Sequence, residues 1–235
     1  MISVKHLSTQ AGKFELRDIS FEIPAGAYGV LMGATGCGKS TLLECICGLK
    51  PINSGSIELG GVDVTHALPG DRGIGYVPQD GALFNQMIVR ENLSFSLDIR
   101  KAPAAFISQR VDELSDLLGL RHLLERTTYG LSGGERQRIA LGRALAFQPS
   151  ILLVDEPLSA VDEAMREDIC NLLKKIRQTT SVTVMHVTHS HQEAKTLADI
   201  LFVLENGQVT VHPDYRTASK TQTRKEDLHA HPSKA

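Results

Sequence analysis

The eight residues Gly33-Ala34-Thr35-Gly36-Cys37-Gly38-Lys39-Ser40 have the types and spacing to hold a chain of phosphates. Glycines let the backbone wrap close to the phosphate oxygens, where amide N–H groups and the positive end of a following helix offset the negative charge. Lys39 adds a full charge near the β- and γ-phosphates, the Ser40 hydroxyl suits Mg2+, and Thr41 extends the nucleotide-binding stretch. A glycine-rich turn that merely precedes a lysine has the same outline. A second group, Ile151-Leu152-Leu153-Val154-Asp155-Glu156, runs four apolar residues into two acids. Asp155 suits a direct or water-mediated Mg2+ contact, and Glu156, one residue on, is placed to polarise an attacking water. Acids after a strand also cap helices, which is the alternative for this pair. A third group, Ser132-Gly133-Gly134-Glu135, offers a hydroxyl, bare amides and a helix dipole to an anion, or serves simply as an N-cap.

The elements that position these groups follow from periodicity. Val4 to Leu7, Phe14 to Ile23 and Tyr28 to Met32 read as strands broken by Gly12-Lys13 and Pro24-Ala25-Gly26. The phosphate loop then opens a helix that runs to Cys47 and stops at Gly48. Ile57-Glu58-Leu59 and Val62-Asp63-Val64 flank Gly60-Gly61 as a hairpin, and Gly75-Tyr76-Val77 is a further short strand. Between about residues 90 and 148 the period turns helical, as in Val111, Leu114, Leu117 and Leu118 and again in Ile139, Leu141 and Leu145. After Pro149, strand and helix alternate: strands at Ile151 to Val154, Val182 to Val187 and Ile200 to Leu204, helices at 163–178 and 190–198. This order predicts an α/β core with a mostly parallel sheet, an antiparallel β region at the N-terminus and an inserted helical lobe. The run Ile151–Val154 suits a strand buried on both faces, whose carboxyl end opens on the crevice where such sheets bind ligands.

A phosphate loop with an acidic strand leaves many nucleotide hydrolases open. Leu131-Ser132-Gly133-Gly134-Glu135 narrows the choice, because with its continuation Arg136-Gln137-Arg138-Ile139-Ala140-Leu141-Gly142-Arg143-Ala144-Leu145 it resembles the signature motif and helix of ATP-binding cassette (ABC) proteins. The resemblance covers residues 2 to about 211 and implies a P-loop NTPase, RecA-like core. It also implies that Ser132 to Glu135 touch the γ-phosphate held by a second cassette. Gln79, after Tyr76-Val77-Pro78, resembles the Q-loop glutamine, which contacts Mg2+ and water and relays the nucleotide state to the transmembrane partner. Ser159-Ala160-Val161-Asp162 resembles the D-loop, placing Asp162 at the dimer interface, and His189 resembles the switch histidine at the γ-phosphate. His186 and His191 are expected to be ordinary surface residues. The family carries an aromatic residue near the end of the first strand to stack on adenine; here the aligned position is Gln10 or Ala11, with Phe14 nearby, so adenine stacking stays open.

The resemblance implies catalysis by Glu156, His189, Lys39 and Gln79, Mg2+ held by Ser40, Gln79 and Asp155, and a head-to-tail pair of cassettes, a homodimer. The stretch Gly75 to Phe84, and Val89-Arg90-Glu91-Asn92-Leu93, are similar to importers, and Gly70 to Gln79 with Leu131 to Arg138 are most similar to molybdate, tungstate and sulfate uptake cassettes. Partners implied are membrane-spanning permease subunits and a solute-binding protein. The C-terminal regulatory domain of many such importers has no counterpart in this sequence, so effector sensing of that kind is not expected. An exporter or lipid-extraction cassette is the alternative, although Glu125-Arg126-Thr127-Thr128-Tyr129-Gly130 lacks the acidic-glycine loop that resembles exporters. A non-transport ATPase is the third, without the coiled-coil insertion, zinc modules or second cassette that mark such proteins.

The formal net charge of −2 over 235 residues gives no attraction to nucleic acid or anionic lipid, so nucleic acid is not an expected partner. No apolar run reaches the roughly 18 residues of a membrane span, and Met1 to His6 lacks the apolar stretch of a secretion signal. The expected location is cytoplasmic, peripheral on the cytoplasmic face of the membrane through the permease. Cys37, Cys45, Cys47 and Cys170 read as free thiols in a reducing compartment, because Cys45 and Cys47 point to different sides of a helix. Residues 1–211 are expected to form the nucleotide-binding domain and 212–235 a polar, disordered tail in which His229 and His231 lack further ligands for a metal.

Overall fold

The computed structural model describes residues 1–11, 14–159 and 161–213. The expected tail with His229 and His231, the D-loop residue Ala160, and the side chains of Ala11 and Phe14 lie outside the described residues.

Two sheets carry the fold. The first is antiparallel, in the order β2 (Phe14–Ile23), β1 (Ile2–Ala11), β4 (Ser54–Leu59), β5 (Val62–Asp63). The second runs β10 (Gln208–His212), β9 (Ile200–Glu205), β3 (Tyr28–Met32), β8 (Thr183–Val187), β7 (Ile151–Asp155), β6 (Ile74–Val77), parallel from β9 to β6. The helices are α1 (Lys39–Cys47), α2 (Val89–Ile99), α3 (Ala104–Leu118), α4 (Gly133–Leu145), α5 (Glu163–Thr180) and α6 (His191–Leu197).

The near-continuous apolar strands are explained by burial on both faces. Along β7, Ile151 and Leu153 enter one core with α1 and the antiparallel sheet, while Leu152 and Val154 enter the other with α2 to α6. The same alternation sends Leu31, Met185, Val187 and Phe202 to the first core and Val30, Val184 and Leu201 to the second. Each such side chain withdrawn from water contributes about 1.5–3 kcal/mol. The parallel sheet is thereby fixed in register, and the carboxyl ends of β3, β7 and β8 are brought side by side.

Strand β10 is absent from the reading of the sequence. It pairs antiparallel with β9 across the turn Asn206-Gly207, whose φ values of 51° and 75° suit the Asn-Gly hairpin signal. Gly207 also accepts a 2.9 Å hydrogen bond from the Arg17 amide, which ties the edge of one sheet to the other.

Helix α1 is anchored at its far end by Arg72. The Arg72 guanidinium is 8% exposed and donates to Cys45 O (3.0 Å), Ile46 O (2.8 Å), Ala67 O (3.1 Å) and Thr65 O (3.1 Å). Two of these carbonyls belong to the last turn of α1, where the helix leaves acceptors unpaired and its dipole favours a cation. Arg72→Met should retain the stem packing but remove these hydrogen bonds, leaving Cys45 O only its 3.1 Å bond from the Gly48 amide, and lower unfolding free energy by about 2–4 kcal/mol. Urea unfolding measures this; a change below about 0.5 kcal/mol would show that the clamp contributes nothing.

Candidate functional site

The phosphate loop lies between β3 and α1, and its winding is set by glycine. Gly38 precedes the helix at φ 102°, a left-handed conformation that a side chain disfavours. Lys39, 5% exposed, turns back over the loop and donates to Gly33 O and Ala34 O, each at 3.0 Å. Its Nζ also stands 3.7 Å from Glu156 Oε1. Thr35, Gly36, Gly38, Lys39, Ser40, Thr41, Gln79 and Glu156 line one cleft of about 320 Å3. Residues far apart in sequence are thus gathered as the phosphate-site reading requires.

Glu156 sits one residue past β7 with φ 43°, an uncommon conformation for a side-chain-bearing residue. Its amide donates to Val187 O (2.9 Å), and its carbonyl accepts from Ser159 N (3.1 Å) and Ser159 Oγ (2.9 Å). These bonds hold the turn, leaving the carboxylate between Lys39 and His189, whose Nδ1 is 3.4 Å from Oε2. His189 follows β8 on an exposed loop, so it reaches the cleft from the strand beside β7.

Asp155 is 3% exposed, and burial pushes its carboxyl above the usual range; the Ser40 hydroxyl bond and Lys39 oppose that, while neighbouring Glu156 adds to it. Its Oδ1 is buried without a hydrogen-bond partner. A buried, unpaired carboxylate oxygen next to a serine hydroxyl is the hard oxygen donor set that Mg2+ takes. Ser40, Asp155 and Gln79 therefore fit such an ion.

Ser132 to Glu135 are not among the residues lining this cleft. Ser132 caps α4: its hydroxyl accepts from Glu135 N (3.2 Å) while its own amide donates to Glu135 Oε2 (2.7 Å). The amides of Gly133 and Gly134 are the first two of the helix and have no intrahelical acceptor. Asp162 is exposed and caps α5 by accepting from Met165 N (3.0 Å).

One expectation fails. His186 is wholly buried, whereas His191 is exposed as anticipated. His186 lies on β8 between β3 and β7, a strand buried on both faces, so no residue there reaches the surface. The structure also adds Asn92, fully buried, which fastens the loop beyond Gln79 by accepting from Phe84 N (3.0 Å) and donating to Phe84 O (3.2 Å) and Ile88 O (3.1 Å). Its neighbours at Val89 and Leu93 mark a helix face, but nothing in the pattern shows that an asparagine there turns inward.

A family model described as ABC transporter matches residues 16–159. The chain belongs to the ABC transporter family. It is 43% identical over 209 residues to the molybdate/tungstate import ATP-binding protein WtpC of Thermococcus kodakarensis, a match covering 89% of this chain and 63% of that protein. It is also 43% identical over 210 residues to the sulfate/thiosulfate import ATP-binding protein CysA of Nocardia farcinica, covering 89% and 63% respectively. This ABC chain therefore spans 63% of the length of each of these curated relatives. Among solved structures, a dimeric post-hydrolysis state of the ATP-binding cassette MJ0796 bound to ADP and Pi matches with a TM-score of 0.80 at 28% identity, covering 91% of this chain and 98% of that one.

The ABC phosphate loop here contains a thiol. Cys37 is half-buried, whereas Cys45, Cys47 and Cys170 are buried. Burial raises the Cys45 thiol, pushes Cys47 up to about 12 and Cys170 up to about 11. A maleimide at neutral pH should label Cys37 first, because the thiolate is the nucleophile, and ATP should protect it. Peptide mass spectrometry of the folded chain reads both; equal labelling of all four thiols, or labelling indifferent to ATP, would refute this.

Proposed function

We propose that this chain is the ATP-binding and hydrolysing subunit that powers solute import through separate membrane-spanning permease subunits. The observation that carries the reading is a division of labour. One cleft gathers Lys39, Ser40, Gln79 and Glu156, with His189 against Glu156, whereas the anion-binding start of α4 lies elsewhere on the same chain. A second cassette, head to tail with the first, completes each site with its own Ser132 to Glu135, and Asp162 lies at that interface. The dimeric cassette bound to ADP and Pi supports such a pair, with an identical chain as the partner.

Phosphoryl transfer asks mainly for position and charge. The amides of the phosphate loop and Lys39 hold the β- and γ-phosphates. When bound by Ser40, Gln79 and Asp155, Mg2+ supplies charge neutralisation at the phosphate oxygens. Glu156 orients the attacking water, and His189 braces its carboxylate and meets the γ-phosphate. Gln79 sits on the loop that follows β6 and relays nucleotide state to the permease.

The names of the relatives support a cargo of the molybdate, tungstate or sulfate class, delivered by a solute-binding protein. Among the described residues no helix is long and apolar enough to cross a membrane. A peripheral subunit docked on the cytoplasmic face is supported by the import ATP-binding proteins that this chain is similar to.

Glu156→Gln keeps the shape of the site but removes the carboxylate. Steady-state hydrolysis should fall by about 100-fold or more, and ATP should drive the variant into a stable dimer on size-exclusion chromatography. Brisk hydrolysis by the variant, or a chain that stays monomeric with ATP at every concentration, would reject the shared-site reading. Uptake of labelled molybdate, tungstate or sulfate with the cognate permease decides the cargo.

A further inference from the structure

Two helices of this chain begin with the same pattern, serine at the cap and glutamate three residues on, yet they use the glutamate differently. In α4 the Glu135 carboxylate folds back to the Ser132 amide at 2.7 Å. In α6 the Glu193 amide donates to Ser190 Oγ at 3.3 Å, but the Ser190 amide is satisfied elsewhere, by Thr188 Oγ1 at 3.0 Å. The Glu193 carboxylate is thereby released from the cap and turns inward, where the residue is 6% exposed.

Its inward partners form a chain. Glu193 accepts from the Thr188 hydroxyl and stands 3.3 Å from Nε2 of the wholly buried His186. His186 Nδ1 is in turn 2.9 Å from the Tyr28 hydroxyl at the start of β3. Burial works against ionisation of Glu193, and the His186 and Thr188 side chains outweigh it, so the carboxyl lies below its usual range. Thr188 is also fixed through its amide, which donates to Leu31 O at 3.1 Å on β3. His189 is consequently flanked on both sides by residues tethered to Glu193: Thr188 through its hydroxyl and Ser190 through its own.

A carboxylate buried at this position costs desolvation that the ordinary capping geometry avoids. We propose that Glu193, with Thr188 and His186, forms a positioning set that holds His189 at the carboxylate of Glu156. This rests on the reading that His189 serves the hydrolytic site. None of the three touches the reacting atoms; they act by fixing the backbone on either side of the histidine and joining α6 to β8 and β3. A displacement of about 1 Å at a group that orients a catalytic carboxylate costs up to about 100-fold in rate.

The experiment uses the full chain with Glu193→Ala, Glu193→Gln and Thr188→Val, following ATP hydrolysis and the ring 1H–15N resonances of His189. Glu193→Ala and Thr188→Val should each lower kcat about tenfold or more, with KM for ATP held within about twofold. Both should shift the His189 ring resonances, and Glu193→Gln, which retains an acceptor for Thr188, should recover most of kcat. Wild-type kcat and unmoved His189 resonances in folded Glu193→Ala or Thr188→Val overturn the proposal, as does a rise in KM that accounts for the loss. If Glu193→Ala does not fold, Thr188→Val and Glu193→Gln carry the same decision. A wild-type chain that binds ATP without hydrolysing it rejects the ATPase reading instead, and the ring resonances still decide the positioning set.

Discussion

The ammonium of Lys39 is the charge around which the site is arranged. A lysine that is 5% exposed has exchanged water for protein acceptors, here Gly33 O, Ala34 O and the more distant Glu156. Because a trans peptide points its N–H opposite to its C=O, drawing those two carbonyls onto the ammonium turns the amides of Ala34 and Thr35 the other way. Two of the loop's acceptors are thus occupied by a cation. That arrangement requires Lys39 at the first position of α1, and therefore an α1 that does not shift. Arg72 holds the other end of the helix through Cys45 O and Ile46 O.

Two acids placed beside that cation have opposite fates. Asp155 ends a fully buried strand, and desolvation raises it. Glu156, one residue on, has left the strand through a backbone at φ 43° and faces both Lys39 and His189. The turn between them costs on the order of 1–3 kcal/mol in backbone strain. The Val187 and Ser159 bonds offset it, and the turn parts the neighbours: Glu156 faces Lys39 and His189, whereas Asp155 stays buried beside Ser40, with Glu156 still raising it.

Much of this was legible in the sequence, and the part that was not has a common cause. The strands at Tyr28–Met32 and Ile151–Asp155, helix α1 and the Gly60-Gly61 hairpin rest on local signals, namely apolar runs, glycine stops and turn dipeptides, and the structure has them where expected. The cleft brings together Thr35 to Thr41 and Glu156, which the phosphate-loop and acidic-strand patterns mark, with Gln79, which only the resemblance to the family marks. Strand β10 has no place in the sequence reading although Asn206-Gly207 is a strong hairpin signal, because Gln208 to His212 is short and largely exposed and lacks the apolar run that marks the inner strands. Arg72, Asn92 and His186 were missed as inward-facing groups for a different reason. Each is a polar residue whose burial depends on carbonyls or side chains from distant segments, and no local pattern records those partners. His186 shows the limit clearly: sequence places it near His189, but only the neighbours β3 and β7 decide that one histidine is in the core and the other at the cleft.

The start of α4 shows how helix capping and ligand binding compete for the same atoms. Glu135 occupies the Ser132 amide, so the donors still free for an anion are the Gly133 and Gly134 amides and the proton of the Ser132 hydroxyl. Ser132 and Gly133 are exposed, whereas Gly134 is buried and has little room for more, since a Cβ there would stand 3.0 Å from the Met165 side chain. Met165 belongs to the first turn of α5, whose cap is Asp162, so the start of α4 is fixed beside the start of α5. Leu141, Ala144 and Leu145 farther along α4 are locked into the helical core, so the helix cannot swing its start toward Lys39 of its own chain. Under the shared-site proposal, these donors, which do not line the cleft of their own phosphate loop, meet the phosphate that a second cassette brings. Under that proposal the anchoring of α4 is what makes a second cassette necessary, and nucleotide binding and hydrolysis would bring the two surfaces together and let them part.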